Sequence, residues 1–380
     1  MKPEIVIDSK EEKTLRTGLE GRIDPDSLRL KRFLNLADLS RKEGSPIFEL
    51  AKRITELPDF KDFDVIKVPE IVPVHESFDL FNFPANHPAR SRSDTYYIDD
   101  QNILRTHTTI MWYYYLGLDE IKTKLKERGS LGVLSYGKVY RKDEIDRAHL
   151  NVFHQMDGLY TTKREEKEIG LPELENVLAK IAQAIYGPDI VYRFNKDTFP
   201  YTDPSLEMEI QIDGRWVEVL GAGVAHNQVL ETLGVDPKIY NAWAFGFGLE
   251  RLAILSMNLP DIRLLWSEDD RVVRQLKLGN HYKEVSKYPP ITRDISFVVG
   301  TDFMPNNYFD LIRDIGGDLV EEVSLMDKYE DAKKFGEGRV SYTYHIVYRS
   351  NERTLTIEEI NPLQDKLVEE TKKQFEAEVR

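Results

Sequence analysis

GKVYRKDEIDRAHLNVFHQMD, residues 137–157, is the stretch on which the fold turns. Residues 133–141 and 152–161 on either side of its centre are rich in β-branched and aromatic types, the pattern of two strands joined by a polar loop. The unit brings Arg141, Asp143, His149 and Gln155 close together in sequence. Loops held by rigid strands are where binding groups tend to sit. A single Tyr-Arg pair in such a hairpin reads as a solvated charged loop, so the stretch needs support from elsewhere in the chain.

Two distant segments supply it. GFGLERLAIL, residues 246–255, reads as a glycine-marked strand end entering a helix with Glu250 and Arg251 in its first turns. SDTYYIDDQNILRTHTT, residues 93–109, adds a short aromatic strand and a His/Thr cluster. HPAR (87–90), RTHT (105–108), VFHQMDG (152–158) and GLERLA (248–253), taken together, resemble a phenylalanyl-tRNA synthetase of the single-chain, organellar type. The resemblance to this class II aminoacyl-tRNA synthetase family runs from about residue 45 to the C-terminus. It implies an α+β fold: an antiparallel sheet flanked by helices, followed by a smaller domain.

Composition sets the outer limits. With 380 residues, 41% hydrophobic and 11% aromatic, the chain can bury a large core and is expected to form two domains. There is no cysteine, which excludes disulfides and thiolate metal sites and fits an intracellular protein. No apolar run reaches membrane-spanning length, so no membrane partner is expected. The N-terminal MKPEIVIDSKEEK has neither an apolar signal core nor the arginine-rich, acid-poor character of a transit peptide. A cytoplasmic location is expected, with a mitochondrial or plastid matrix as the alternative after removal of a targeting peptide. The net charge of −14 points away from a general nucleic-acid binder, although a local basic patch can still hold RNA.

Residues 1–44 are charged and mixed, with a short helix expected within 28–39, and are assigned to an N-terminal extension. A helix is expected from Ser45, which can cap it, with Pro46 in its first turn. Strands are expected at 63–68 and 95–98, and a helix over 105–118 with Thr106 or Thr108 near its start. The spacing of Leu171, Leu174, Leu178, Ile181 and Ile185 predicts an amphipathic helix over 165–186, and strands follow at 191–194, 206–212 and 216–220. The catalytic domain is thus expected over 45–280. From 287 to 380 the elements run β-α-β-β-α-β, the ferredoxin-like order, with the last helix starting at Thr356 or Asn361. KYPPITRDISF, IGGDLVEEVSLMDKY and ERTLT resemble the anticodon-binding domain that ends such synthetases, although the segment is acidic. Lys287, Arg293, Arg349 and Arg353 are its expected RNA contacts.

The resemblance also implies roles. Arg141 would bridge the ATP α-phosphate and the amino-acid carboxylate, a task suited to a planar guanidinium fork. Arg251 would cover one face of the adenine and Phe153 the other, with Asp143 and His149 as further nucleotide contacts. His107, Thr109, Gln155, Asp157, Phe199, Tyr201, Glu218, Ala222 and Phe245 would form the amino-acid site. Within it Gln155 and Asp157 would accept the α-ammonium, while Phe199, Tyr201, Ala222 and Phe245 would form an apolar slot with Ala222 limiting its depth. Thr109, Asp157 and Tyr201 stand where many relatives carry serine, glutamate and phenylalanine. Mg²⁺ is expected with ATP, helped by Asp203 or Glu218. The implied activity is formation of phenylalanyl-adenylate and transfer to the terminal adenosine of tRNA(Phe), by a monomer. The rivals are a class II relative that uses another amino acid and a non-catalytic RNA-binding paralogue.

Overall fold

The computed structural model describes residues 2–142 and 146–380. It divides into two compact units, Met1–Tyr282 and Lys283–Arg380.

In the first unit the strands are β1 (Glu4–Val6), β2 (Asp64–Lys67), β3 (Ile71–Pro73), β4 (Asn102–Leu104), β5 (Ser130–Tyr140), β6 (Val152–Lys163), β7 (Tyr192–Phe199), β8 (Thr202–Ile212), β9 (Arg215–Ala225) and β10 (Tyr240–Gly248). Eight of them form one sheet in the order β1-β2-β5-β6-β10-β9-β8-β7, and β3 pairs with β4. The large sheet is antiparallel from β5 to β7, but β1–β2 and β2–β5 are parallel. Those two parallel pairs follow from their connections, which pass through helices rather than tight turns.

Residues 1–44 are woven into this unit. β1 extends the sheet, and Leu19, Leu30, Phe33 and Leu34 from helices Lys10–Glu20 and Pro25–Asn35 pack with Leu104, Tyr140 and Val152. The Lys138 ammonium on β5 is 3% exposed and donates to the Leu34 and Leu36 carbonyls that end the second of these helices. Ser45 caps helix Pro46–Thr55, its Oγ accepting the Ile47 N–H at 3.2 Å. Ser45→Ala is expected to cost about 1 kcal/mol, read as a lower urea midpoint for the first unit.

Three local expectations give way in the structure. Residues 95–98 form no strand beyond a single bridge between Tyr97 and Ile103. The Asp99 carboxylate accepts the N–H groups of Gln101 and Asn102 and turns the chain, so the strand is β4. The helix expected from Arg105 begins later, as a 3₁₀ turn Thr108–Ile110 and then helix Met111–Gly117. Arg105 is held extended instead, its N–H on the Glu70 carbonyl and its C=O accepting from Tyr140. The helix expected over 165–186 likewise starts only at Leu171, with Pro172 in its first turn.

The second unit has β11 (Ile291–Gly300), helix Pro305–Gly316, β12 (Val320–Glu330), β13 (Arg339–Tyr348), helix Ile357–Phe375 and β14 (Glu378–Val379). The sheet order β12-β13-β11-β14 is the ferredoxin-like arrangement. Phe297, Tyr308, Tyr344, Ile346 and Leu367 fill its core. Its last helix starts after Thr356, whose N–H is held by the Glu359 carboxylate at 2.9 Å.

Candidate active site

Strand register decides which side chains meet over the large sheet. β6 and β10 pair Gln155 with Gly248, Asp157 with Gly246, Leu159 with Ala244 and Gly158 with Phe245. β10 and β9 pair Gly246 with Gly221, Phe245 with Ala222 and Ala244 with Gly223. Because side chains alternate across a strand, Phe153, Gln155, Asp157, Ala244 and Gly246 share one face. A cavity of about 670 Å³ opens on that face. Its lining includes Arg141, His149, Phe153 and Arg251 together with His107, Thr109, Gln155, Asp157, Phe199 and Tyr201.

Asp157 lies at the floor. It is 5% exposed, and its carboxylate accepts hydroxyl hydrogen bonds from Thr108 and, at 2.8 Å, from Thr109. The two threonines reach it because the chain at 105–107 is extended rather than helical, so their hydroxyls point across the sheet instead of capping a helix. Gly246 is required beside it, since a Cβ there would sit 2.7 Å from Asp157 Oδ1. Burial pushes the Asp157 carboxyl up to about 6, against the downward pull of Thr108, Thr109 and Arg141. The group is therefore ionised near neutral pH, with hydrogen bonds from two neutral hydroxyls, a place suited to an ammonium.

Around it stand polar groups without protein partners among the described residues: both ring nitrogens of His107 and Oε1 of Gln155. The His107 ring stacks on Phe83 at 5.8 Å. Burial, reinforced by the positive charges of Arg141 and Arg105, lowers its pKa to about 3, so the ring is neutral. Buried polar atoms are nearly always paired, and these three border the cavity.

The two arginines come from positions 110 residues apart in the chain. Arg141 follows β5 directly; its Nε donates to the Thr106 carbonyl at 3.0 Å and its guanidinium lies 5.3 Å from the Phe153 ring centre. Arg251 is in the first turn of helix Leu249–Met257, 47% exposed, with Nη1 3.2 Å from the Glu218 carbonyl and 3.8 Å from its carboxylate. His149 lines the same cavity, with Nδ1 2.9 Å from Asp146. Asp143 lies outside the described residues.

The apolar slot needs correcting. Phe199 stacks on Tyr201 at 6.0 Å, Tyr201 meets Phe81 and Trp112 edge-on, and both Phe199 and Tyr201 line the cavity. Ala222 and Phe245 border the cavity, but the register puts their side chains on the other face. The Phe245 ring lies against Phe60, Trp243 and Phe247, and Trp243 bonds Glu173 of helix Leu171–Tyr186. On the cavity face that position belongs to Ala244, with Gly221 beneath the Phe199 ring, where a Cβ would come within 2.8 Å. Sequence reading missed Ala244, Trp112, Phe83 and Thr108. The signal for the first was present in NAWAFGFG (241–248), whose small residues alternate with large ones.

Of the two expected metal carboxylates, Glu218 lines the cavity, whereas Asp203 is exposed and lies outside its lining. No group of three or more metal-ligating side chains occurs among the described residues. In the second unit, three of the expected RNA contacts are engaged internally, Arg293 with Asn361, Arg349 with Glu321 and Arg353 with Glu359.

Comparison with known proteins agrees with this geometry. Residues 34–276 match the family tRNA synthetases class II core domain (F), and residues 286–380 match the ferredoxin-fold anticodon binding domain. The chain is 38% identical over 373 residues to the chloroplastic/mitochondrial phenylalanine–tRNA ligase of Arabidopsis thaliana, covering 94% of this chain and 82% of that protein. It is 34% identical to the mitochondrial enzyme of Mus musculus, covering 85% and 78%, and 31% identical to that of Saccharomyces cerevisiae, covering 96% and 94%. A core match over most of the first unit, an anticodon-binding match over the second and relatives that match 85–96% of this chain leave one placement: the chain belongs to the class II tRNA synthetases, in the family of the organellar phenylalanine–tRNA ligases.

Proposed function

We propose that this chain activates phenylalanine with ATP and transfers it to the 3′-terminal adenosine of tRNA(Phe). The observation that carries the reading is the convergence of Arg141 and Arg251 on one cavity that also holds Asp157 and an aromatic slot. In the first step the amino-acid carboxylate attacks the α-phosphorus, forming a P–O bond as the bond to pyrophosphate breaks; in the second a terminal adenosine hydroxyl attacks the carbonyl and AMP leaves. The first step needs no protein base, because the nucleophile is already ionised. Two anionic groups must instead be brought together, which is work for fixed positive charge and alignment. Arg141 stands between the Asp157 floor and the Phe153 ring, placed to hold both anions. Asp157 and Gln155 take the α-ammonium, and Phe199, Tyr201 and Ala244 take the benzyl ring. The ring of Phe153 offers a stacking surface for adenine, with Arg251 opposite it.

Mg²⁺ would find two unburied carboxylates in the lining, Glu218 and Asp94, so phosphate oxygens and water would supply most of its ligands. The second unit would read the tRNA anticodon. A monomer is proposed because catalytic core and anticodon domain share one chain. The relatives named above are chloroplastic or mitochondrial, which favours an organellar compartment for this chain over the cytoplasm; no helix among the described residues is long and apolar enough to cross a membrane. The test is pyrophosphate exchange screened across the amino acids: phenylalanine should dominate, and a different preferred substrate or no exchange overturns the reading.

The raised pKa of Asp157 sets a pH dependence. Only the ionised carboxylate holds the ammonium, so kcat/KM for phenylalanine is expected to fall about tenfold per pH unit below about pH 6. The kcat at saturating substrate should hold to lower pH, because the bound ammonium depresses that pKa. The sign for stability is opposite to that of a salt-bridged carboxylate. Between the ordinary 3.8 and about 6 the folded chain keeps a proton that the unfolded chain has released, so this group's contribution weakens as pH rises through that window. Parallel profiles of kcat and kcat/KM would count against the assignment.

A further inference from the structure

One buried group beside the cavity has no part in the chemistry above. His154 is 0% exposed and sits on β6 between Phe153 and Gln155, pointing to the opposite face of the sheet. Its Nδ1 lies 2.6 Å from Glu250 Oε1, and its backbone N–H donates to the other oxygen of the same carboxylate at 2.8 Å. On the far side of the ring, Nε2 accepts the Leu39 N–H at 2.9 Å, with Asp38 Oδ1 3.4 Å away. Against the downward pull of burial, the Glu250 and Asp38 carboxylates raise the His154 pKa to about 9, which favours the imidazolium, whereas a ring that accepts the Leu39 N–H is neutral with its proton on Nδ1; in both forms Nδ1–H is directed at Glu250. Asp38 is in turn bound by Arg41 at 2.7 Å, and Arg41 by Glu4 at 2.8 Å. One imidazole therefore joins three pieces of chain: β6, the first turn of helix Leu249–Met257, and the segment after helix Pro25–Asn35.

Glu250 is the immediate neighbour of Arg251. Consecutive helical residues point about 100° apart, so a carboxylate held at both oxygens sets the rotation of that turn and with it the direction in which Arg251 leaves the helix. Arg251 has little hold of its own: it is half exposed, and its contacts to Glu218 are a 3.2 Å bond to a carbonyl and a 3.8 Å approach to a carboxylate. β6 carries Phe153 on the cavity face, next to the pinned residue. We propose that His154 and Glu250 form a positioning pair that fixes Arg251 relative to Phe153, and so sets the width of the nucleotide site, with Asp38 and Leu39 of the N-terminal segment closing the pin from behind. This rests on the reading that the cavity binds ATP.

The test is a double-mutant cycle in the full chain, with KM for ATP and KM for phenylalanine measured separately by pyrophosphate exchange. Glu250→Gln keeps the volume and an acceptor but loses the charge that holds the ring. It should raise KM for ATP or lower kcat by roughly tenfold to a hundredfold, the scale of a misplaced catalytic group, while KM for phenylalanine stays near that of the parent. Combined with Arg251→Ala it should add little to the loss from Arg251→Ala alone, because both act through the same guanidinium. Losses that multiply, or an equal rise in both KM values, overturn the pin and leave only a general packing role. Should Glu250→Gln be insoluble, His154→Asn, which keeps a donor toward Glu250, replaces it in the cycle with the same expected and opposing results. Absence of exchange in the unmodified chain would refute the activity and the pin together, whereas normal exchange with multiplying losses refutes the pin alone.

Discussion

Arg141→Ala is expected to lower phenylalanine-dependent pyrophosphate exchange by about a hundredfold to a thousandfold, the range for removing one preorganised group that stabilises charge in the transition state. The loss should appear mainly in kcat, since the charge this residue faces is greatest when carboxylate and phosphate are closest. Arg141→Lys should recover only part of it: an ammonium supplies the charge but not the planar fork that can face two oxygens at once. The fold should survive either change. Arg141 lies at the end of β5 with one side open to the cavity, and the core beneath it is built from Tyr140 and Val152. Thermal melts recorded beside the kinetics would separate a lost charge from a lost fold. Exchange near the parent rate in Arg141→Ala would remove this residue from the mechanism.

The second large effect concerns substrate choice, and it pits one face of the sheet against the other. Ala244→Gly removes a methyl from the cavity face and is expected to raise kcat/KM for para-halogenated phenylalanine by about tenfold to a hundredfold, the value of a methyl-sized change in an apolar pocket. Ala222→Gly removes a methyl from the opposite face, where Ala222 pairs with Phe245 and Leu206. It should leave analogue exchange unchanged and register only as some loss of stability. Reversal of the two results would mean that the register of β9 and β10 is off by one residue, which would move every side chain of those strands to the other face.

That pair also shows where sequence reading stops. The four segments that carry the resemblance pointed to a sheet-borne site, because Arg141 directly follows one strand and Gln155 and Asp157 lie on the next, where alternation is visible locally. The order of elements in the second unit was legible for the same reason: each strand and helix there has its own clear period. Ala222 and Phe245 were misplaced because the face of β9 relative to β10 depends on pairing, and β8 and β9 slip register between Met208 and Glu209. A single sequence does not state such a slip. The Thr108–Asp157 contact joins residues 49 apart and depends on an extended 105–107 that a Thr-rich helix start concealed. Likewise the mixed, charged character of residues 1–44 gave no sign that Leu39 and Asp38 reach His154, which lies 115 residues from Leu39.

On β10, Trp243, Phe245 and Phe247 form a continuous aromatic layer with Phe60, while Ala244 and Gly246 leave room above. The layer anchors the strand without help from Ala244 and Gly246 on the cavity face. A population of variants could thus exchange the small residues and sample new ligands while the anchoring rings stay in place. In this protein, the freedom to try a different substrate and the obligation to stay folded fall to alternate letters of the same eight-residue word.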